Sequence, residues 1–288
     1  MKRISTEINS IARFVGEEKT LYLLAEAGFD CWDFSMFSMA KYDKAKGALA
    51  PNDHPLASPD YLAFARKLRR IGEENGITCN QAHAPFPIKY PEILALQKRA
   101  IECTAEAGGS ICIIHPNNNK SAEENAETFL ELLPFAKEHG VKIATENMWN
   151  WNKEEDHAAD AACSHHSDFL AHIKAVNDPY LVACLDIGHA EMRGLRTDSE
   201  TMIRTLGDSL AALHIHDNDL WHDSHELPFT MDIDFEKVIK ALKEINYKGD
   251  LTLEADRYSN RFAPDDMATC AKNMAAAAKR LAKMYEEL

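Results

Sequence analysis

Six apolar runs in the amino-acid sequence end in histidine, aspartate or glutamate, the side chains that bind divalent metal ions in proteins. A single histidine in an apolar run is more often a hydrogen-bonded core residue than a metal ligand. Six consecutive runs with the same kind of ending indicate a metal site, provided that the fold brings the run ends together. The residues at these ends are His83, His115, Glu146, Asp186 with His189, His214 with His216, and Glu254.

The apolar runs alternate with helical segments, and this alternation predicts a parallel β-sheet. Several helical segments end in glycine, as in "EENGITCNQAH" and "KEHGVKIATEN", and glycine after a helix favours the left-handed C-cap conformation. Short, continuous apolar runs are typical of parallel strands that are covered on both faces. The predicted strands are 3–8, 30–34, 77–82, 110–115, 141–146, 181–186, 210–216 and 249–254.

Eight strand–helix units predict an α/β fold, a (β/α)8 TIM barrel formed by a single domain over 1–288. The rival is an open, doubly wound sheet, but no G-x-G-x-x-G motif follows the first strand. In a barrel, the loops that follow the strands form the active-site face. The two longest of these loops, 35–57 and 147–165, are therefore expected over the site, and whether they act as lids stays open.

A barrel would gather the polar ends of six strands at one rim. Asp186 is expected at a strand tip, and Gly188 is expected to let the chain turn so that His189 also faces the centre. Carboxylates and imidazoles in such a ring suit Zn²⁺, Mn²⁺ or a neighbouring metal of the same series, such as Co²⁺.

Local signals also predict where helices begin. Ser121 with Glu124 forms a capping-box pattern, and Ser58 followed by proline predicts a second helix start. The last helix is predicted from about Pro264, with one apolar stripe along it. The stripe consists of Met267, Cys270, Ala271, Met274, Ala278, Leu281 and Tyr285.

The composition excludes several classes of partner and compartment. A net charge of −14 disfavours electrostatic binding to nucleic acid or anionic lipid, although a local cationic site remains compatible with it. No apolar stretch approaches the ~20 residues that a membrane span needs, and the first residues lack a signal-peptide pattern. The seven cysteines include no C-x-x-C pair and are predicted to be reduced core residues of a cytoplasmic protein.

Tryptophans surround the predicted site in the sequence. Trp149 and Trp151 follow Glu146 closely, so they could stack on a sugar ring or base, or pack the loop onto the barrel. Trp32 and Trp221 are further candidates to line the pocket. Nucleophilic catalysis and a P-loop find no support, because neither G-x-S-x-G nor a glycine-rich phosphate motif occurs.

The motifs at the strand ends resemble those of the xylose isomerase-like TIM-barrel superfamily. This superfamily includes sugar isomerases and epimerases, and apurinic-site endonucleases of the endonuclease IV type. The resemblance covers essentially the whole chain, and it is specific for the superfamily rather than for a substrate. It is carried by "HAPF" (83–86), "IIHP" (113–116), "TEN" (145–147), "LDIGH" (185–189), "HIHDND" (214–219) and "LEAD" (253–256).

The resemblance to the ketose 3-epimerase branch implies one divalent metal (Mn²⁺, Zn²⁺ or Co²⁺) held by Glu146, Asp186, His216 and Glu254. In that branch the two glutamates are also the catalytic acid/base pair, and the histidine that matches His189 contacts substrate. This sequence departs from the branch after His216. It reads "HDNDLWHD" there, without the glutamate and arginine that the branch leads us to expect.

The resemblance to the endonuclease branch implies a different metal count. Enzymes of that branch use nine ligands for three zinc ions, and Asp223-Ser224-His225 fits the D-x-H motif of the branch. No DNA-reading segment is evident beside these residues. The nine matching residues are His83, His115, Glu146, Asp186, His189, His216, Asp223, His225 and Glu254.

The resulting expectation is a metal-dependent sugar isomerase or epimerase. It would abstract a proton next to a carbonyl through a metal-stabilised enediolate, with Glu146 and Glu254 as the proton-exchanging pair. The substrate is expected to be a small molecule, a carbohydrate, and homo-oligomerisation stays open. The alternatives are an apurinic-site phosphodiesterase with a multinuclear zinc site, in which the additional ligands are used, and a non-catalytic sugar sensor. Expected substrate contacts are His83, His115, His189 and Trp149.

Overall fold

A parallel β-sheet forms the centre of the computed structural model, which describes residues 1–288. Eight of its strands coincide with the eight predicted ones to within two residues at each end. The strands are β1 Ile4–Thr6, β2 Cys31–Ser35, β3 Tyr42–Asp43, β4 Ala48–Leu49, β5 Thr78–His83, β6 Ile111–Ile113, β7 Lys142–Glu146, β8 Asn150–Asn152, β9 His157–Ala159, β10 Leu181–Asp186, β11 Leu210–His214 and β12 Leu251–Leu253.

Six strands pair in parallel in the order β11-β10-β7-β6-β5-β2, and β1 pairs in parallel with β12 as a second sheet. Single parallel bridges join this second sheet to both edges of the first. One bridge links Glu7 of the β1 side to Asp33 of β2, and the other links Ile215 after β11 to Leu253 of β12. The carboxyl ends of all eight strands therefore point to the same side of the molecule.

Each of the two long connections contains a short antiparallel hairpin. In the first, β3 and β4 form an antiparallel hairpin, with Tyr42 opposite Leu49. In the second, β8 and β9 form another, with Asn150 opposite Ala159. Both hairpins follow strands of the parallel sheet, so both lie on the side that carries the strand ends.

Helices pack around the sheet and bury a continuous apolar cluster of 67 residues. The predicted stripe of the last helix is buried throughout, and all seven cysteines are free and buried, as predicted. None of the helices combines the length and the apolarity that crossing a lipid bilayer requires. The helices are α1 Asn9–Val15, α2 Glu17–Ala27, α3 Tyr61–Glu74, α4 Pro91–Leu94, α5 Gln97–Glu106, α6 Ala122–Glu138, α7 His166–Val176, α8 Ile187–Glu191, α9 Ser199–Leu206, α10 Phe235–Glu244 and α11 Met267–Glu287.

The two predicted helix starts had different outcomes. Ser121 caps α6 as predicted, because its Oγ accepts from the Glu124 backbone N–H at 3.3 Å while Glu124 accepts from the Ser121 N–H at 2.9 Å. The prediction at Ser58 was wrong, since α3 begins at Tyr61. Ser58 instead closes the preceding turn, where its hydroxyl donates to Pro55 O and accepts from Asp60 N.

The capping box makes a direct prediction about stability. Ser121→Ala leaves the Glu124 backbone N–H at the start of α6 without its side-chain acceptor, so we expect the free energy of unfolding to fall by about 1 kcal/mol. Urea denaturation followed by circular dichroism measures the loss. Glu127→Ala, an exposed change on the same helix, should stay within ~0.5 kcal/mol. Equal stability of the Ser121 variant and the native protein would contradict the cap.

Candidate metal centre

The strand ends bring the predicted ligands to one place. Because the strands are parallel, side chains from segments far apart in the sequence meet at their carboxyl ends. Each of these side chains is buried, although together they carry several ionisable groups. His83 ends β5, Glu146 ends β7, Asp186 ends β10 and His214 ends β11, while His115 and Glu254 follow β6 and β12.

One group of ligand atoms comes from three neighbouring strands. The Nε2 atoms of His83 and His115 lie 2.9 Å apart. The Oε2 atom of Glu146 lies 2.9 Å from the His115 nitrogen and 3.5 Å from the His83 nitrogen. Three ligand atoms that converge so closely form a site that a cation can occupy.

A second group surrounds Asp223, in the loop after β11. Its Oδ1 lies 3.1 Å from His225 Nε2, 3.4 Å from His189 Nε2 and 3.5 Å from His216 Nε2. These four residues share a possible metal site. Asp223 and His225 are thus drawn into the centre from a loop, where no strand end predicts them.

The central group contains three of the four ligands that the epimerase resemblance implies. Ligand atoms of Glu146, Asp186 and Glu254 lie within 4.8 Å of one another, and the fourth member of the group is His214. His216 was expected in that fourth place. Its Nε2 lies 3.1 Å from Asp186 Oδ1, at the junction between the central group and the group around Asp223.

Backbone carbonyls orient four of the imidazoles. In each, the Nδ1 atom faces a carbonyl oxygen and therefore carries the proton, which leaves the Nε2 lone pair directed into the centre. Metal-binding histidines commonly have this arrangement, because the carbonyl fixes the tautomer and the ring. The pairs are His83 with Ala84 O at 2.9 Å, His189 with Asn147 O at 2.8 Å, His216 with Asp217 O at 3.3 Å and His225 with Glu254 O at 2.8 Å.

Four buried atoms in the centre lack a hydrogen-bond partner, and this is the feature that most directly fits a cation. They are Glu146 Oε2, Asp186 Oδ2, His216 Nε2 and Asp223 Oδ1. An unpaired buried polar atom is costly, and four of the ten such atoms in the protein lie at this centre. A divalent ion would satisfy these oxygens and this nitrogen, and the mixed donor set suits Zn²⁺ or Mn²⁺.

The sequence analysis missed Asp33 and gave His214 no role separate from that of His216. His214 Nδ1 lies 2.7 Å from Glu146 Oε1 and 3.3 Å from Glu254 Oε2, and its Nε2 lies 3.2 Å from Asp33 Oδ2. Gln81 Nε2 in turn donates to Asp33 Oδ2 at 2.8 Å. Both nitrogens of His214 therefore face carboxylates, so the ring contacts both glutamates as well as Asp33.

The signal for Asp33 was present in the sequence. Asp33 lies inside the predicted strand "DCWDF", between Trp32 and Phe34, and a buried charge inside a strand needs a partner. His214 and His216 lie two positions apart at the end of one predicted strand. The structure gives them separate partners.

The two glutamates differ in their preferred protonation state. Burial alone would raise the pKa of Glu146, but the charge of His214 and the closeness of the His115 and His83 imidazoles outweigh it and hold that pKa well below its usual value. Burial raises the pKa of Glu254 to about 8. Neighbouring carboxyl groups with pKa values shifted in opposite directions are suited to one base and one acid.

A cavity of about 420 Å³ opens above the ligand groups. The four expected substrate contacts all line it, whereas Trp32 and Trp221 do not, so that prediction was wrong for both. Trp32 is fully buried, and Trp221 packs under Arg193.

Another cavity, of about 610 Å³, includes the amino ends of β5 and β6 but holds no group of metal ligands. The lining of the upper cavity is Lys44, His83, Phe86, Pro87, His115, Pro116, Asn118, Glu146, Met148, Trp149, His189, Asp223, His225 and Glu254.

Gly188 is required for a reason other than the one expected. It lies in α8 and has no left-handed φ, so the turn does not depend on glycine. A Cβ atom at this position would lie 1.9 Å from His216 Cε1. The absence of a side chain therefore makes room for the His216 ring.

Comparisons with known proteins bear on the fold and the family. A family model described as xylose isomerase-like TIM barrel matches residues 21–285. An uncharacterized protein of Methanocaldococcus jannaschii is 24% identical over 249 residues, which cover 80% of this chain and 76% of that protein.

Solved structures have the same fold. A D-tagatose 3-epimerase-like protein matches with a TM-score of 0.71 and 21% identity, over 100% of this chain and 99% of that one. A D-allulose 3-epimerase from Methylomonas sp. matches at 0.70 and 18%, over 99% of both chains. The IolI protein with a bound zinc atom also matches at 0.70 and 18%, over 100% and 99%.

The contact at Gly188 predicts a selective loss of metal binding. Gly188→Ala must displace the buried His216 ring, so we expect weaker zinc binding by at least roughly tenfold, in the range seen when the surroundings of a ligand are disturbed. Competition with a chromogenic chelator measures the affinity. Ile187→Val is the control, because it removes one buried methylene from the same turn and leaves position 188 without a side chain. Unchanged zinc affinity in the Gly188 variant would show that His216 is not a ligand.

Proposed function

The chain belongs to the xylose isomerase-like TIM barrel family, and from that premise we propose that it is a divalent-metal-dependent isomerase or epimerase of a sugar or sugar derivative. One observation carries the proposal: Glu146 and Glu254 line the same cavity, and their ligand atoms lie within 4.8 Å of one another and of a ligand atom of Asp186. The epimerase names of the structural relatives support the substrate class.

The proposed cation is held by Glu146, Asp186, His216 and Glu254. When bound, it supplies positive charge that stabilises the negative charge developing on substrate oxygens. Asp186 and His216 are fully buried, so their proposed role is to bind the ion. Their surroundings fix them: Asp186 also accepts the His189 N–H at 2.7 Å at the start of α8.

The two glutamates carry the proposed proton transfers. One carboxylate removes the proton from the carbon next to the substrate carbonyl, and the other carboxylic acid returns a proton. Because both flank the same cavity, the proton can return to the opposite face of that carbon, which inverts it. It can also return to the former carbonyl carbon while the proton of the neighbouring hydroxyl moves to the carbonyl oxygen, which shifts the carbonyl along the chain. His214 holds one oxygen of Glu146, which leaves Oε2 free to face the substrate side.

The walls of the cavity provide the remaining proposed functions. His83, His115 and His189 contact substrate oxygens, and Trp149 covers an apolar face of the ring. A water molecule takes up about 30 Å³ in the liquid, so this cavity holds on the order of a dozen non-hydrogen atoms. That is the size of a monosaccharide derivative.

We also infer that the eight strands close into a barrel and that the chain is one domain. The bridges Glu7–Asp33 and Ile215–Leu253 lie at the two places where closure is needed. The continuous apolar cluster supports the single domain, since it includes residues from Ile4 to Tyr285.

A second candidate function is phosphodiester hydrolysis at abasic sites of DNA. The favouring observation is that all nine residues matching the endonuclease branch converge, and that the groups around Glu146 and Asp223 could each take a metal. The net charge of −14 makes a nucleic-acid substrate less favourable.

Glu254→Gln tests the proton transfers. The amide oxygen can still face the metal, but the side chain cannot accept or donate the carboxyl proton, so we expect exchange of the substrate C–H with solvent deuterium to slow by roughly 10²–10⁴-fold. Proton NMR of a panel of ketoses in D₂O measures the exchange. Metal content should be followed in parallel, and exchange at the native rate would place the proton-transferring group elsewhere.

The metal count separates the two candidate functions. We expect one tightly held metal per chain, strong loss of that metal in Asp186→Ala, and no incision of a duplex that carries an abasic site. Metal analysis after extensive dialysis and a gel assay of the duplex provide the measurements. Two or three tightly held metals, with strand cleavage that disappears in Asp223→Ala, would favour the endonuclease.

A further inference from the structure

The cavity above the metal ligands contains a single lysine or arginine side chain. Of its 14 lining residues, Lys44 is the only one of either type, and it comes from the turn between β3 and β4. The acidic lining residues are Glu146, Asp223 and Glu254, and histidines contact each of them. Lys44 is therefore the one lysine or arginine of the lining, and it has no proposed role in binding the metal.

The hairpin holds this lysine in a defined place. Asp43 shapes the turn, because its Oδ1 accepts the N–H groups of Ala45 and Lys46 at 3.0 and 3.2 Å. The ring of Tyr42 stacks on Tyr90, which lies in the segment after β5, with 4.0 Å between the ring centroids. The backbone of Lys44 is thus fixed relative to the strand that supplies His83.

The neighbouring lysines of the hairpin differ from Lys44 in their partners. Lys41 lies 3.7 Å from Asp53, and Lys46 lies 3.2 Å from Asp43. Lys44 forms no ion pair, although it lines a cavity that contains three acidic residues. A ligand with a negative group would find in Lys44 a cation that no carboxylate of the protein neutralises.

The charge of the whole protein makes such a residue useful for one class of substrate. A net charge of −14 disfavours the approach of anions. Because salt screens charges beyond about 8 Å at physiological ionic strength, the charges close to the cavity act most strongly on a ligand. A cation on the cavity wall offsets this repulsion where the ligand enters. A neutral sugar needs no such help.

We propose that the substrate carries an anionic substituent, a carboxylate or a phosphate ester, which Lys44 binds while the hydroxy-carbonyl end faces the metal centre. This inference rests on the proposed function, because it assigns the substrate class of the same cavity. The volume of about 420 Å³ accommodates a sugar acid or a small sugar phosphate.

The test compares ligands with and without one anionic group. The metal-loaded protein is titrated by calorimetry with D-gluconate and neutral D-glucitol, and separately with D-fructose 6-phosphate and neutral D-fructose. The first pair reports on a carboxylate and the second on a phosphate ester. We expect one of the two anions to bind roughly tenfold more tightly than its neutral partner, as a charge-assisted hydrogen bond provides.

Variants assign that preference to Lys44. Lys44→Gln should reduce the preference to about twofold or less, while leaving the affinity for the neutral partner unchanged. Lys44→Arg should retain it. Lys46→Gln is the matched control, since Lys46 belongs to the same exposed turn but is paired with Asp43 and does not line the cavity; it should keep the full preference.

Three results would overturn the proposal. The first is equal affinity for the charged and neutral partners, and the second is an anion preference that Lys44→Gln leaves intact, which would mean that the anion binds only the metal. The third is Lys44-dependent binding of an abasic duplex without binding of either small anion. Failure of the proposed reaction is recognised separately. A Lys44-dependent preference without deuterium exchange into any ketose or sugar acid would support the anion site and count against the isomerase, whereas exchange with neutral ketoses alone would do the opposite.

Discussion

The division of Glu146 between two partners is the constraint on which the rest of the centre depends. One oxygen, Oε1, lies 2.7 Å from His214, and the other, Oε2, faces the imidazoles of His83 and His115 without a hydrogen bond of its own. Asp33 holds His214 from the opposite side at 3.2 Å. A carboxylate anchored in this way keeps one oxygen for a cation or a substrate. The chain of contacts from Asp33 through His214 to Glu146 therefore determines which oxygen of Glu146 faces the cavity.

Burying so many ionisable groups is unfavourable unless each has a partner. The structure meets this requirement in two ways: below the centre, hydrogen bonds join Gln81, Asp33 and His214; within it, ligand atoms converge without satisfying one another. The first arrangement leaves Asp33 Oδ1 without a partner, whereas the second leaves several ligand atoms unpaired and needs a positive charge. Stability and metal binding are therefore expected to be coupled, because an ion that binds only the folded chain stabilises it.

The same ring of side chains is compatible with more than one reaction, and the loops decide between them. The strand ends supply His83, Glu146, Asp186 and Glu254, while Asp223 arrives from the loop after β11. The hairpins β3–β4 and β8–β9 add Lys44 and position Trp149 over the cavity. Fold relatives named as epimerases share the architecture at about 20% identity or less. Chemistry in this fold is grafted onto a common scaffold through such loops.

The sequence by itself determined the eight strands, the capping box at Ser121 and the set of polar residues at the strand ends, because apolar runs and caps are local patterns that depend only on neighbours along the chain. Only the tertiary structure decided which of these residues meet. His214 and His216 are two positions apart, yet one supports Glu146 and the other borders Asp186, since their partners come from strands 68 and 30 residues away. Gly188 is required by a ring in another segment, and Lys44 reaches the cavity only because its hairpin folds over it. Contacts between segments so distant in sequence have no local signature, so their geometry exists only once the sheet has formed.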